Sequence, residues 1–280
     1  MIPRSGRSFD AGVLAVSDGW GAPTAALAVI DGEGLVATHK PTASVLPWAS
    51  VTKLVTAACA LVAVERGVLG LDDPAGPPGS TVRHLLAHAS GLAFDDPTPI
   101  SPPERTRIYS NAGFDLLAAT VADRAGRPFG RLVREWVLDP LGMAGARLIG
   151  RPSEGMAGSI DDLASLAFEL LRPRVLPTSL LAEATRVQFP GLRGVLPGIG
   201  RFDPLDWGLG FELRDRKSPH WTGSRNSARS FGHFGGSGTF LWVDPEAELA
   251  LTCLTDRPFG PWALEAWPAL SDAVLDAAST

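Results

Sequence analysis

Ser50 and Lys53 stand one helical turn apart at the mouth of the stretch WASVTKLVTAACALVAVERG, residues 48–67. Residues three apart on a helix share a face, so the lysine nitrogen can reach the serine hydroxyl. Lys53 is one of only three lysines in a chain that carries 22 arginines, and the segment behind it is almost wholly apolar. Burial penalises the charged form of an amine and draws its pKa below the usual value of about 10.4. A lysine in that state can take the proton of a serine hydroxyl. Arginine cannot be deprotonated in a protein, which gives lysine a reason to stand where arginine is the habitual cation. A serine at a helix N-terminus also feels the positive end of the helix dipole, which favours developing negative charge.

Two further clusters offer matching chemistry. In IYSN, Tyr109 is the sole tyrosine of the chain, against 12 Phe and 8 Trp, and Asn111 is one of two asparagines. A phenol can shuttle a proton if neighbouring cations lower its pKa, and a carboxamide both donates and accepts. The plainer alternative is a turn before a helix, with Asn111 as its cap. In FGHFGGSGTFLWVDP, His233, Gly235 and Gly236 lead into a strand. Glycines there let a substrate lie against the strand backbone and use its N–H groups; the plainer alternative is a softened strand edge with a surface histidine. A phosphate cradle would need a helix after the glycines, and a strand follows instead.

These residues need elements to hold them. The first 40 residues read as strands, TAALAVI and LVATHK about a turn at DGEG. A helix runs from about Ser50 to Gly67, apolar nearly all round and so expected in the middle of the protein. From 67 to 200 the pattern is helical and loop-rich, through STVRHLLAHASG, NAGFDLLAATVADRAG, PFGRLVREWVL, SIDDLASLAFELL and PTSLLAEATRVQF. Strands return in WGLGFELRD, GTFLWV and LALTCLT, and the tail PWALEAWPALSDAVLDAA is an amphipathic helix able to pack on the sheet. The pattern predicts an α/β (α+β) fold: one antiparallel sheet formed by both termini, flanked by helices, with an inserted helical lobe. A single domain over 1–280 is expected, with an α/β lobe at about 1–66 and 201–280 and a helical lobe at about 67–200.

Composition narrows the partners. A net charge of −5 with scattered basic residues gives no electrostatic reason for nucleic acid or an anionic membrane. The longest apolar run, LVTAACALVAV, is far short of the roughly 20 residues that span a bilayer. AGVLAVS is too short for the core of a signal peptide, so a soluble, cytoplasmic protein is expected. Cys59 and Cys253 sit in apolar runs and read as buried thiols rather than a disulfide. His84 and His88 in HLLAH have a zinc spacing, but no glutamate follows His84 and no third ligand stands out, so neither metal nor cofactor is expected. No Gly-x-Ser-x-Gly occurs, which sets the α/β-hydrolases aside. The Asp pairs at 72–73, 95–96 and 161–162 read as turns and helix starts rather than paired acid catalysts. Trp48 and Trp207 flank the motifs, either lining a pocket or filling core.

Taken together, Ser-x-x-Lys at 50–53, Tyr-x-Asn at 109–111 and His-Phe-Gly at 233–235 resemble the serine β-lactamase and penicillin-binding protein superfamily. The Tyr-x-Asn form is similar to the class C branch, with its DD-peptidase, D-aminopeptidase and family VIII esterase relatives. LDDPAG, TVRHLLAHASGL and GTFLWVDPEAELALTCLTDR agree, so the likeness covers roughly residues 24–277. It implies that Ser50 is acylated, Lys53 accepts its proton and Tyr109 shares the acid–base work. It further implies that Asn111 holds the substrate and Lys53, that His233 takes the place of the third-motif lysine, and that the N–H groups of Ser50 and Gly236 form the oxyanion hole. The departures matter. The missing Ser-Asp-Asn motif sets class A aside, while a titratable histidine replaces a fixed cation, Phe234 replaces a hydroxyl, and no secretion signal is expected. These predict a serine hydrolase acting on small esters or amides that lack an essential carboxylate. A β-lactamase, D-Ala-D-Ala carboxypeptidase or D-aminopeptidase is the close alternative, and a non-catalytic binding protein of the same fold the distant one.

Overall fold

The computed structural model describes residues 2–40 and 44–278. A 3₁₀ helix, Ala11–Trp20, opens the chain and is capped by the Asp10 carboxylate; the strand pattern expected for the first 40 residues does not extend to it. The expected hairpin follows as β1 (Ala25–Asp31) and β2 (Leu35–His39). After the short β3 (Leu46–Pro47), one 3₁₀ turn at Ala49–Val51 leads into α1 (Thr52–Glu65), which stops just before Gly67 at φ 66°. Then come α2 (Val82–Leu86), β4 (Arg107–Ile108), α3 (Asn111–Ala125) and α4 (Phe129–Val133), the last running on as a π-helical stretch over Arg134–Leu138. The middle of the chain ends with β5 (Arg147–Leu148), β6 (Met156–Gly158), α5 (Ile160–Leu171), α6 (Thr178–Ala184), β7 (Gly194–Leu196) and β8 (Gly200–Phe202). Last are β9 (Glu212–Leu213), β10 (Phe231–Gly235), β11 (Thr239–Asp244), β12 (Leu249–Thr255) and α7 (Pro261–Ala278).

The main sheet is antiparallel in the order β2-β1-β12-β11-β10-β9, so strands from both ends of the chain lie side by side at its centre. Side chains alternate between its faces. Ala26, Ala28 and Ile30 of β1 pack with Ala250 and Leu254 of β12 against a core that holds α1 and α5. Leu27 and Val29 join Leu251 and Cys253 on the other face, against Trp267, Leu270 and Val274 of α7. Helix α5, from within the stretch expected as the helical lobe, lies directly on β1, β11 and β12.

Cys59 and Cys253 are buried free thiols, in the cores on opposite faces of this sheet. The strand expected across WGLGFELRD shrinks to Glu212–Leu213, because Gly210 at φ 90° turns the chain out of the ladder. Among the described residues, no helix is long and apolar enough to cross a membrane. The small strands absent from the sequence pattern form two three-stranded sheets. One of them, β4-β7-β8, flanks the site described next.

Candidate active site

Ser50 sits in the single 3₁₀ turn that leads into α1. Ala49 before it is held at φ 43°, a left-handed conformation that costs a non-glycine residue of order 1 kcal/mol. The turn puts Ser50 on the wall of a cavity of about 330 Å³.

Lys53 enters the first turn of α1 and is 0 % exposed. Its Nζ lies 3.4 Å from Ser50 Oγ, 2.5 Å from Asn111 Oδ1 and 2.9 Å from the Ser153 carbonyl oxygen, and 4.7 Å from the centre of the Tyr109 ring. Burial draws its pKa down to about 7, against the opposing pull of Glu154, Asp115 and Asp95. The deprotonation that the sequence argument required is therefore within physiological reach.

Tyr109 is buried beside it, with its ring packed 4.5 Å from His88 and 5.9 Å from Trp207. Its hydroxyl lies 3.4 Å from His233 Nε2. The condition under which it would shuttle a proton as a base, a pKa lowered by nearby cations, is not met. Burial raises it, with only a hydrogen bond from Ser50 working the other way, so the phenol keeps its proton.

His233 differs from expectation in the same sense. It lies buried in β10 at the site, which sets aside the plainer alternative of a surface histidine, and its Nδ1 is 2.6 Å from the Phe234 carbonyl oxygen. A carbonyl only accepts, so Nδ1 carries the proton and Nε2 is left to accept from Tyr109. Burial, and after it the charge of Lys53, pulls the ring down to about 3. The titratable cation read from the sequence is a neutral acceptor at physiological pH.

Asn111 begins α3, but Ser110 is the cap, its hydroxyl accepting from Gly113 N–H at 2.9 Å. The Asn111 side chain faces the site: Oδ1 accepts from Lys53, and Nδ2 donates to Asp95 at 3.0 Å. Gly235 is glycine for a steric reason. A Cβ there would fall 2.4 Å from the Trp48 carbonyl oxygen and 3.2 Å from Ser50 N, so only glycine lets β10 close on the nucleophile's turn. Gly236 faces open space on the cavity wall. Ser50, Tyr109, Asn111, His233 and Gly236 thus line one cavity, with Lys53 and Gly235 packed against Ser50 behind its wall.

Other residues at this site were not legible beforehand. Asp95 and Glu154 line the cavity, and Arg151 ties Asp95 at 3.0 Å to Asp115 at 2.7 Å. Asp96 does make the expected turn, accepting from Thr98 N–H, but Asp95 beside it holds Asn111. No periodicity marks the loop that supplies Ser153 and Glu154; only the scarcity of Asn111 could have drawn attention to its partners. Trp48 and Trp207 resolve as core, at 0 % and 1 % exposure. His84 and His88 do not share a helix face, because α2 ends at Leu86 and His88 takes φ 53°. His84 instead pairs with Thr81 and Glu104, and His88 backs Tyr109.

Residues 14–275 match the family model described as Beta-lactamase, and the chain belongs to that family. A crystal structure of a beta-lactamase (Mb2281c) from Mycobacterium bovis superposes with a TM-score of 0.94 at 55 % identity, covering 96 % of this chain and 100 % of that one. EstCE1, described as a hydrolase with promiscuous acyltransferase activity, shares the fold at a TM-score of 0.74 and 17 % identity, over 94 % of this chain and 97 % of its own. The D-alanyl-D-alanine-carboxypeptidase/endopeptidase AmpH of Escherichia coli (strain K12) is 30 % identical over 173 residues, 45 % of each chain. The match therefore spans less than half the length of that curated relative. The fold and family are those of β-lactamase-type hydrolases.

Proposed function

We propose that the protein is a serine hydrolase that works through an acyl-enzyme on Ser50, with small carboxylic esters or amides as substrates. The observation that carries this reading is the dry amine of Lys53, 3.4 Å from the Ser50 hydroxyl, with a pKa of about 7. Near neutral pH about half the molecules hold that amine unprotonated. It takes the Ser50 proton as Oγ bonds to the substrate carbonyl carbon, and the carbonyl π pair moves onto oxygen. The N–H groups of Ser50 and Gly236 receive that oxyanion, a contribution worth roughly 10²–10³ in rate per donor. When the tetrahedral species collapses, the bond to the leaving group breaks and Tyr109 gives the departing atom its proton. The proton that Lys53 took from Ser50 then passes to the Tyr109 phenolate beside it, which leaves both groups as they began. Water then repeats the sequence on the acyl-serine, releasing the acid and restoring Ser50.

Ester substrates are favoured by the charges around the cavity. His233 is neutral, Phe234 offers no hydroxyl, and Asp95 and Glu154 stand on the wall, so among the described residues that line the cavity no fixed cation faces a substrate carboxylate. The second reading, β-lactamase or D-Ala peptidase, is favoured by the names of the 55 % identical Mycobacterium bovis neighbour and of AmpH. Measuring kcat/KM for p-nitrophenyl butyrate and for a chromogenic cephalosporin on one preparation separates the two. A cephalosporin value well above the butyrate value would transfer the assignment to the second reading. Failure of a serine-directed phosphonate to label Ser50 would leave a non-catalytic binding protein.

A further inference from the structure

A second, larger cavity of about 610 Å³ opens beside the catalytic one, and Phe94, Tyr109 and Pro197 line both. Ile108, Val195 and Phe202 give it apolar walls, with Val195 45 % and Phe94 46 % exposed. Its volume falls within the range of pockets that enclose a small organic ligand. Its charge is opposite to that of the catalytic wall. Arg107 lines it at 2 % exposure, and four of its five N–H groups donate to the carbonyls of Ala87, Gln188, Phe189 and Leu205. Burial lowers its pKa only to about 10, so it stays charged. Among the described residues no carboxylate lies within ion-pair distance of it, and the more distant Asp206 is the negative charge that acts on it. Arg193 and Arg201 add two exposed guanidiniums against one carboxylate, Asp203.

Resting on the serine-hydrolase reading, we infer that this cavity is the leaving-group subsite. Its occupant is an apolar alcohol of several carbons that ends in an anion. Tyr109 must lie against the leaving atom to protonate it, and the cavity begins on the flank of that same residue. Asp95 and Glu154, both paired with Arg151, offer an anion no attraction beside Ser50, while the exposed Arg193 and Arg201 attract one at the far end. The charges therefore orient the substrate along the two cavities.

The test uses acetate esters with growing alcohols, ethyl to octyl, alongside 8-acetoxyoctanoate. kcat/KM should rise about fourfold per buried methylene and about tenfold further when a carboxylate ends the chain, the latter gain shrinking with added salt. Val195→Trp should flatten the chain-length series, and Arg193→Glu with Arg201→Glu should reverse the carboxylate preference. A flat wild-type series would overturn the inference. So would a gain seen instead on lengthening the acyl group of p-nitrophenyl esters and removed by Val195→Trp. Binding of the product alcohol, 8-hydroxyoctanoate, to Ser50→Ala by calorimetry judges the cavity without turnover: binding weakened by Val195→Trp supports it, and no binding contradicts it. Loss of phosphonate labelling in the wild type would fell the hydrolase reading and with it the leaving-group role, while the calorimetry would still judge the cavity as a ligand site.

Discussion

Asn111 joins Lys53 to Asp95: its carbonyl oxygen lies 2.5 Å from the lysine nitrogen, and its amide nitrogen lies 3.0 Å from the aspartate. The amide is therefore oriented, and it holds the amine beside Ser50 without placing a full charge against it. A neutral acceptor leaves burial as the dominant influence on Lys53, and a pKa of about 7 follows.

That value predicts the pH dependence. Acylation needs the free amine, so kcat/KM should climb tenfold per pH unit below about 7 and level off above it. Tyr109 is raised and His233 lies near 3, so neither adds an inflection between pH 5 and 9. Stopped-flow acylation across that range should show one ionisation. A second inflection near 6 would mean that His233 titrates.

Asn111→Asp sets a carboxylate where the amide oxygen was. An opposite charge within hydrogen-bond distance favours the ammonium, so the inflection should move to higher pH. Activity should fall most at pH 6–7 and recover toward pH 9. An unmoved inflection would separate Asn111 from control of Lys53.

Lys53→Arg should cut acylation by the roughly 10²–10⁴ typical of lost general base catalysis, since guanidinium keeps its proton. Circular dichroism checks the fold first, because the larger group enters a packed helix face. A folded variant acylating within tenfold of wild type would remove the proton-acceptor role.

Lys53 should also leave a mark on stability. Its folded pKa, about 7, lies below its unfolded value near 10.4. Between those two the unfolded chain binds a proton that the folded one does not, so stability contributed here rises with pH across that window. Lys53→Met removes the effect. Denaturant midpoints of the variant should exceed wild type most below pH 7, and the difference should shrink toward pH 10. Parallel curves would contradict a desolvated amine.

The catalytic set was legible because rarity and spacing coincided: Ser50 with Lys53, then Tyr109 with Asn111. Rarity alone was not enough. Lys217, another of the three lysines, is equally buried, but it pairs with Glu212 at 2.8 Å and lines neither cavity beside Tyr109. Protonation states could not be read, because they depend on burial: His233 and Tyr109 look like titrating groups until the packing of Trp207 and His88 around Tyr109, and of Trp207 against His233, is seen. Asp95 was hidden for a different reason. It shares its Asp-Asp pair with a true turn residue, and its partner Asn111 is 16 residues away. The sheet was readable because both its faces are buried, leaving apolar runs in β1, β11 and β12. β7 and β8 were not, being three-residue strands with glycine at one end.

The most direct measurement is rapid quenching of the protein with p-nitrophenyl acetate, followed by peptide mass spectrometry. An acyl adduct should appear on Ser50, stoichiometric with the burst of nitrophenol, and both should vanish in a folded Ser50→Ala variant. A burst of undiminished size in that variant, or an adduct on another residue, would contradict the assignment of Ser50 as nucleophile.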